Sequence, residues 1–321
     1  MSSKERISWI DSAKGILMLC VIAGHTLPLG ATSERLIYSF HIPLFVILSG
    51  FVMGDLSTAD DFFKKVRKSF IQLQIPVLIV FILEAFVFTL QYRWTFSDFF
   101  SFLVRKVTLP DGAVWFLNAL FWTRFFYLFF MLIKFENILF MLGLACLNLL
   151  MMKNNFYSNV FQNLDIVPFF MFFLCLGRKL KKITLTQFLT KHGALSVYIS
   201  LPLLYLCLHY NLSYFDFGLR IFNGIYFLPL LCFSASFLAL FFCMTIDSYS
   251  VFRKPLSYIG SHTVLLLSVH ALELKFIHLP KEFNSRILMY KTLAERLAID
   301  FSVWAMVLLT VCLYKKIRRR L

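Results

Sequence analysis

The chain is 321 residues long, 60% of them hydrophobic, with a mean hydropathy of +0.76. A soluble domain holds about 45–50% apolar residues, so a soluble fold with a single anchor is excluded, and no polar stretch reaches the size of a separate domain, about 50 residues or more. The formal net charge of +15 would point to nucleic acid in a soluble protein. Here Lys and Arg fall between apolar segments, where they orient a membrane protein and meet phospholipid, so nucleic-acid binding is set aside.

A helix needs about 20 apolar residues to cross the hydrocarbon core. Ten segments qualify in chain order: 10–29, 36–54, 70–91, 112–132, 136–152, 164–180, 193–210, 220–245, 258–278 and 297–314. The chain therefore reads as all-α, one polytopic membrane domain over residues 1–321 with about ten transmembrane helices. Lys4 and Arg6 precede an apolar run, but His25 and Pro28 interrupt it and no small-residue cleavage site follows, so a retained first helix is expected rather than a signal peptide. With the N-terminus in the cytoplasm, 20 Lys and Arg residues fall on the inside and 11 on the outside. That bias, with an even number of crossings, places both termini in the cytoplasm. The seven cysteines form no CxxC pair, so neither a zinc site nor a disulfide framework is expected, and no metal is predicted.

The first hairpin, Trp9 to Met53, concentrates polar groups that hydrocarbon should reject. An ionisable residue inside a span is costly and marks a functional site by default. Lys14 and His25 are eleven residues apart, which puts them within about 20° of one helix face and about 16 Å apart along it. Asp11 lies three residues before Lys14 and can pair with it. One polar line thus runs from the cytoplasmic edge into the membrane. Gly24 is read as a point of close backbone approach. His41 opens the second segment, with Pro43 in its first turn, and Ser49–Gly50 near its end reads as a tight helix contact. Further along, Glu84 and Arg124 are read as a buried ion pair, and His270 and Glu273 share a face at i, i+3. For His25 the plain alternative is a side chain bonded to a neighbouring helix, and for His41 an interfacial histidine at a helix start.

The run WIDSAKGILMLCVIAGH, then SFHIPLFVILSGF, then FFKKVRKSFIQLQIP resembles the opening of the integral membrane acyltransferases of acyltransferase family 3, in particular the sugar O-acetylase branch. DGAVWFLNALFW, DIVPFFMFFLCLGRKLKK and LSYIGSHTVLLLSVH agree, and the six pieces are collinear from Trp9 to His270. The resemblance implies transfer of acetyl from acetyl-CoA, the donor substrate, to a hydroxyl of a surface polysaccharide or its lipid-linked precursor, in the bacterial cytoplasmic (inner) membrane. It maps the family's key histidine to His25 and its basic residue to Lys14. That basic residue is often Arg in the family, and Lys keeps the charge without the bidentate fork.

Catalysis is accordingly expected from His25 with His41, and donor binding from Lys14, Asp11, Lys65 and Arg67. A neutral His25 can act as general base on the acceptor hydroxyl or can carry the acetyl group itself; the sequence leaves both routes open. The alternative function is a transporter or flippase of a lipid-linked sugar using the same polar line as a pathway, which inverted repeats would favour; the sequence contains none.

Overall fold

The computed structural model describes residues 8–26, 32–153, 160–182, 197–206, 209, 214–218, 221–223, 228–276 and 293–318. The opening hairpin is α1 (Ser8–Thr26) and α2 (Thr32–Phe51). Then come α3 (Ala59–Ser69), a π-helical turn at Phe70–Gln74, α4 (Ile75–Tyr92), α5 (Phe96–Thr108), α6 (Trp115–Leu132) and α7 (Ile138–Lys153). A 3-10 turn at Phe161–Ile166 leads into α8 (Val167–Lys182), followed by α9 (Val197–Leu206). After a small antiparallel ribbon, β1 (Tyr214–Asp216) with β2 (Ile221–Asn223), the chain ends in α10 (Leu228–Asp247), α11 (Ser250–Gly260), α12 (Thr263–Phe276) and α13 (Leu293–Arg318). The architecture is an all-α membrane bundle with one two-stranded ribbon on it.

Among the described residues, two helices are long and apolar enough to cross a membrane, Ala59–Tyr92 and Trp115–Leu132; Leu231–Asp247 and Ser250–Gly260 meet that condition together, bent by 120°. Several expected boundaries change. The basic run Lys64 to Lys68 is not a loop. Thr58 accepts from the Asp61 N–H at 3.1 Å, Asp60 and Asp61 occupy the first turn, and Arg67 and Lys68 the last, so cap and macrodipole favour a helix that continues through the π turn into α4. Residues 96–108, expected as a loop, form α5. Thr95 and Asp98 close a capping box there, and the Thr95 hydroxyl, then its backbone N–H, hold the exposed Asp98 carboxyl below its ordinary range. The eighth expected segment, 220–245, starts too early, because Ile221–Asn223 is a strand and the helix begins at Leu228. The ninth, 258–278, is divided: Tyr258 to Gly260 end α11, and α12 starts at Thr263. Residues 27–29 of the first segment, and parts of the seventh, eighth and ninth, lie outside the described residues.

The bundle is drawn together where glycines let backbones touch. α1 packs most extensively on α11 and α2 on α8. A Cβ on Gly260 would overlap the Asp11 carbonyl, and one on Gly15 the Leu256 carbonyl. Gly50 and Gly177 do the same for α2 and α8, against the Leu174 and Ile47 carbonyls. These are small-residue crossings of the kind that hold helices together in lipid, where no hydrophobic force separates helix from solvent. Gly24 is different: a Cβ there would meet the Tyr38 ring at 3.0 Å, so its neighbour is a side chain and not a backbone. At the α10–α11 corner, Ser12 of α1 donates to Asp247 Oδ1 at 2.6 Å and lies 2.9 Å from the Ser257 hydroxyl, tying the bend to the first helix.

Candidate active site

α1 and α2 run antiparallel, so the start of one lies beside the end of the other. α1 presents Asp11, Lys14, Met18, Val21 and His25 to a single cavity, at the i, i+3, i+7, i+10, i+14 spacing of one face. α2 answers with Tyr38, His41, Phe45 and Ser49, the turn after it with Val52, and α6 with Phe116, Leu120 and Arg124. The cavity holds about 1200 Å³. Pockets for small ligands run to about 300–1,000 Å³, so this one is at the large end of that class. Asp11 and Lys14 line it from the start of α1 and His25 from its last turn, and Val52, Glu84, Arg105, Asp111, Trp115, Asp216 and Lys275 line it as well.

Lys14 Nζ lies 3.8 Å from Asp11 Oδ1, the i, i+3 pair expected from the spacing. His25 sits in the last turn of α1, exposed to the cavity. His41 does not open its helix. α2 starts nine residues earlier, at Thr32, so His41 lies near mid-helix and is buried, and Pro43 is an internal proline. The His41 Nδ1 is 2.8 Å from the Ile37 carbonyl. A carbonyl can only accept, so Nδ1 carries the proton and Nε2 is left as the basic nitrogen. The Tyr38 ring stands edge-on to His41, with centroids 5.1 Å apart.

His270, on α12, is fully buried and does not line the cavity, but its ring lies 5.4 Å from that of His25. Its Nδ1 is 3.2 Å from Glu273 Oε2, a buried i, i+3 pair. The histidine side of the cavity is therefore two imidazoles on its wall, with a third and a carboxylate behind one of them.

The structure does not bring Lys65 or Arg67 to this cavity. Lys65 donates to the Gly54 carbonyl at 2.8 Å and to that of Asp55, fastening the turn after α2, and Arg67 is exposed on α3. Arg178 is committed to the same turn, with Nη2 2.9 Å from Asp55 Oδ1 and Nε 2.7 Å from Glu136 Oε2. The expected Glu84–Arg124 pair is absent. Glu84 Oε2 lies 3.1 Å from Nζ of Lys106, which is also bonded to Asp111 and lies against the Phe81 and Phe102 rings, whereas Arg124 Nε donates to Ser49 Oγ at 2.8 Å. α5 explains the exchange, because it carries Lys106 into the bundle beside α4.

A buried amide relay stands behind the cavity edge. Gln74 donates to Asn118 Oδ1 at 2.8 Å, Asn118 donates to the Gln162 carbonyl at 2.6 Å, and Trp122 donates to Gln162 Oε1 at 3.2 Å. Gln162 and Asn163 stand consecutively in the left-handed region, at φ 57° and 55°. Such strain persists only where the surroundings fix it, and here the amide relay does so while holding Asn163 at the cavity edge. The π turn is the device that points Gln74 inward, since an extra residue rotates the helix that follows.

These features define an integral membrane protein with a cavity running along its first helical hairpin, mostly apolar but edged by ionisable groups and holding imidazoles on its wall. The chain belongs to the family described as "Acyltransferase domain", acyltransferase family 3, whose model matches residues 7–315. Neither a curated protein nor a solved structure matches it. The protein is a membrane acyltransferase.

Proposed function

We propose that this acyltransferase is an O-acetyltransferase that moves acetyl from acetyl-CoA to a hydroxyl of a surface polysaccharide or its lipid-linked precursor, in the bacterial inner membrane with both termini in the cytoplasm. The observation that supports this reading is the single cavity shared by Lys14, His25 and His41. A donor entering at the Lys14 end meets a cation first and the imidazoles last; an acceptor enters from the His25 end, and Asp111, Trp115 and Asp216 line the same cavity. Carboxylates that accept from hydroxyls and an aromatic face suit a polyhydroxylated ring.

In the general-base route an imidazole nitrogen takes the acceptor hydroxyl proton as its oxygen attacks the thioester carbonyl carbon. Collapse of the tetrahedral intermediate breaks the carbon–sulfur bond, and the leaving thiolate recovers the proton. In the covalent route His25 first displaces the thiolate to form an acetyl-imidazolium; the acceptor hydroxyl oxygen then attacks its carbonyl carbon, the carbon–nitrogen bond breaks, and the hydroxyl proton goes to the thiolate. Incubating purified protein with radiolabelled acetyl-CoA and a panel of surface glycans tests the reading. Label should appear as an alkali-labile ester on a glycan. No label on any glycan, with donor hydrolysis at background, would overturn it.

A further inference from the structure

Arg124 lies at the middle of α6 with its Nε held by Ser49 and no carboxylate within ion-pair distance among the described residues. Its terminal nitrogens are neither sealed nor bonded, and the side chain lines the cavity. A guanidinium without a counter-charge inside a helical bundle is expensive to keep. Glu84, the acid that would neutralise it, is committed to Lys106. The uncompensated charge therefore faces a cavity that an anionic ligand can enter.

Its depth says which anion. Ser49, which fixes Arg124, is eight residues along α2 from His41, about 12 Å at the helical rise. Lys14 is about 16 Å from His25 along α1 by the same measure. The two cations thus stand at similar distances from the imidazoles. The pantetheine arm of coenzyme A, from sulfur to the first phosphate oxygen, has about as many backbone bonds as four residues, hence ~14 Å when extended. A thioester carbonyl at the histidines puts the diphosphate between Lys14 and Arg124. A planar fork pinned at Nε, with both terminal nitrogens open, matches phosphate oxygens.

We propose that Arg124, together with Lys14, seats the diphosphate of the acyl-thioester donor inside the cavity, rather than the basic surface residues Lys65 and Arg67 doing so at its mouth. This rests on the donor assignment made above. The test compares acetyl-CoA with acetyl-pantetheine, which keeps the thioester and lacks the phosphates, in wild type, Arg124→Gln and Arg124→Lys. Wild type should prefer acetyl-CoA. Arg124→Gln should raise the KM for acetyl-CoA by about tenfold or more, raise it by far less for acetyl-pantetheine, and reduce the stabilisation that coenzyme A gives the purified protein in thermal unfolding. Arg124→Lys should recover part of each and serves alone if the Gln variant does not accumulate. A variant that keeps the wild-type donor ratio overturns the proposal, as does a change confined to the KM of a diphosphate-linked acceptor. Wild type using both donors equally well overturns it while leaving thioester transfer intact. Wild type inert with both overturns the donor assignment itself.

Discussion

The imidazoles of His25 and His270 lie with ring centroids 5.4 Å apart and planes tilted by 45°, and His270 in turn holds Glu273 at 3.2 Å. The first ring is open to the cavity and the second is sealed behind it. A buried carboxylate beside an imidazole fixes which nitrogen carries the proton, so the His270–Glu273 pair is placed to set the orientation of the group that stands in front of it. His25→Ala should reduce transfer by about 10²–10⁴-fold, the usual worth of a positioned acid–base group, with normal membrane abundance. Glu273→Gln should lower kcat less, leave the donor KM unchanged and shift the pH profile of kcat. A Glu273→Gln enzyme with a wild-type profile would reduce that pair to packing.

Gly260 places α11 directly on the Asp11 backbone. Filling such a contact forces the helices apart at a cost of about 1–3 kcal/mol, and Asp11 lines the cavity. Gly260→Ala should lower the thermal unfolding midpoint in detergent and weaken donor use together. Gly143→Ala is the control, because nothing lies within 4 Å of a Cβ there and alanine favours the helix. Equal midpoints for the two variants would mean the α1–α11 crossing is not tight.

Lys106 is sealed, with its side chain 1% exposed, between Glu84 and Asp111. Removing one member of a buried pair leaves the other charged and dry, at a cost of about 3–5 kcal/mol. Lys106→Met should therefore be strongly destabilising, and Lys106→Met with Glu84→Gln should regain most of the loss. Thermal unfolding of the three proteins checks this. A double variant no better than the single one would show that packing of the lysine stem, not its charge, matters.

The hairpin was legible in the sequence because it rests on helical periodicity alone. The eleven-residue step from Lys14 to His25 fixes a shared face whatever the neighbours do, and Ser49–Gly50 announces a close crossing that the Leu174 carbonyl fills. Partnerships between helices were not legible. Glu84 and Arg124 are ions in apolar segments of unstated depth, and pairing them overlooks Lys106, which looks like a loop residue until α5 is recognised. The signal for α5 was present: Thr95 followed three residues later by Asp98 is a capping signature. His41 looked like a helix opener because the polar residues Thr32 to Arg35 hide the first turn of α2 from any hydropathy window. The left-handed pair Gln162–Asn163 is only half marked in the sequence, because asparagine tolerates that region but glutamine rarely adopts it.

Lys14 separates a binding role from a purely topological one. It stands in the first turns of α1, one-quarter exposed, paired with Asp11 at 3.8 Å and lining the cavity. A lysine near a helix end can also be no more than a snorkelling anchor, and that role would be met by any long cation or by none. If Lys14 holds donor phosphate, Lys14→Ala removes a charged hydrogen bond and leaves Asp11 to repel the same phosphate, so the donor KM should rise by about tenfold or more. Lys14→Arg keeps the charge and the Asp11 pair and should retain most of the activity. Asp11→Asn should act in the opposite sense to Lys14→Ala, because it frees the ammonium for the donor, and its donor KM should not rise. Steady-state kinetics with varied acetyl-CoA distinguishes the cases. Unchanged KM and kcat in Lys14→Ala would leave Lys14 as an anchor and shift donor binding wholly to Arg124.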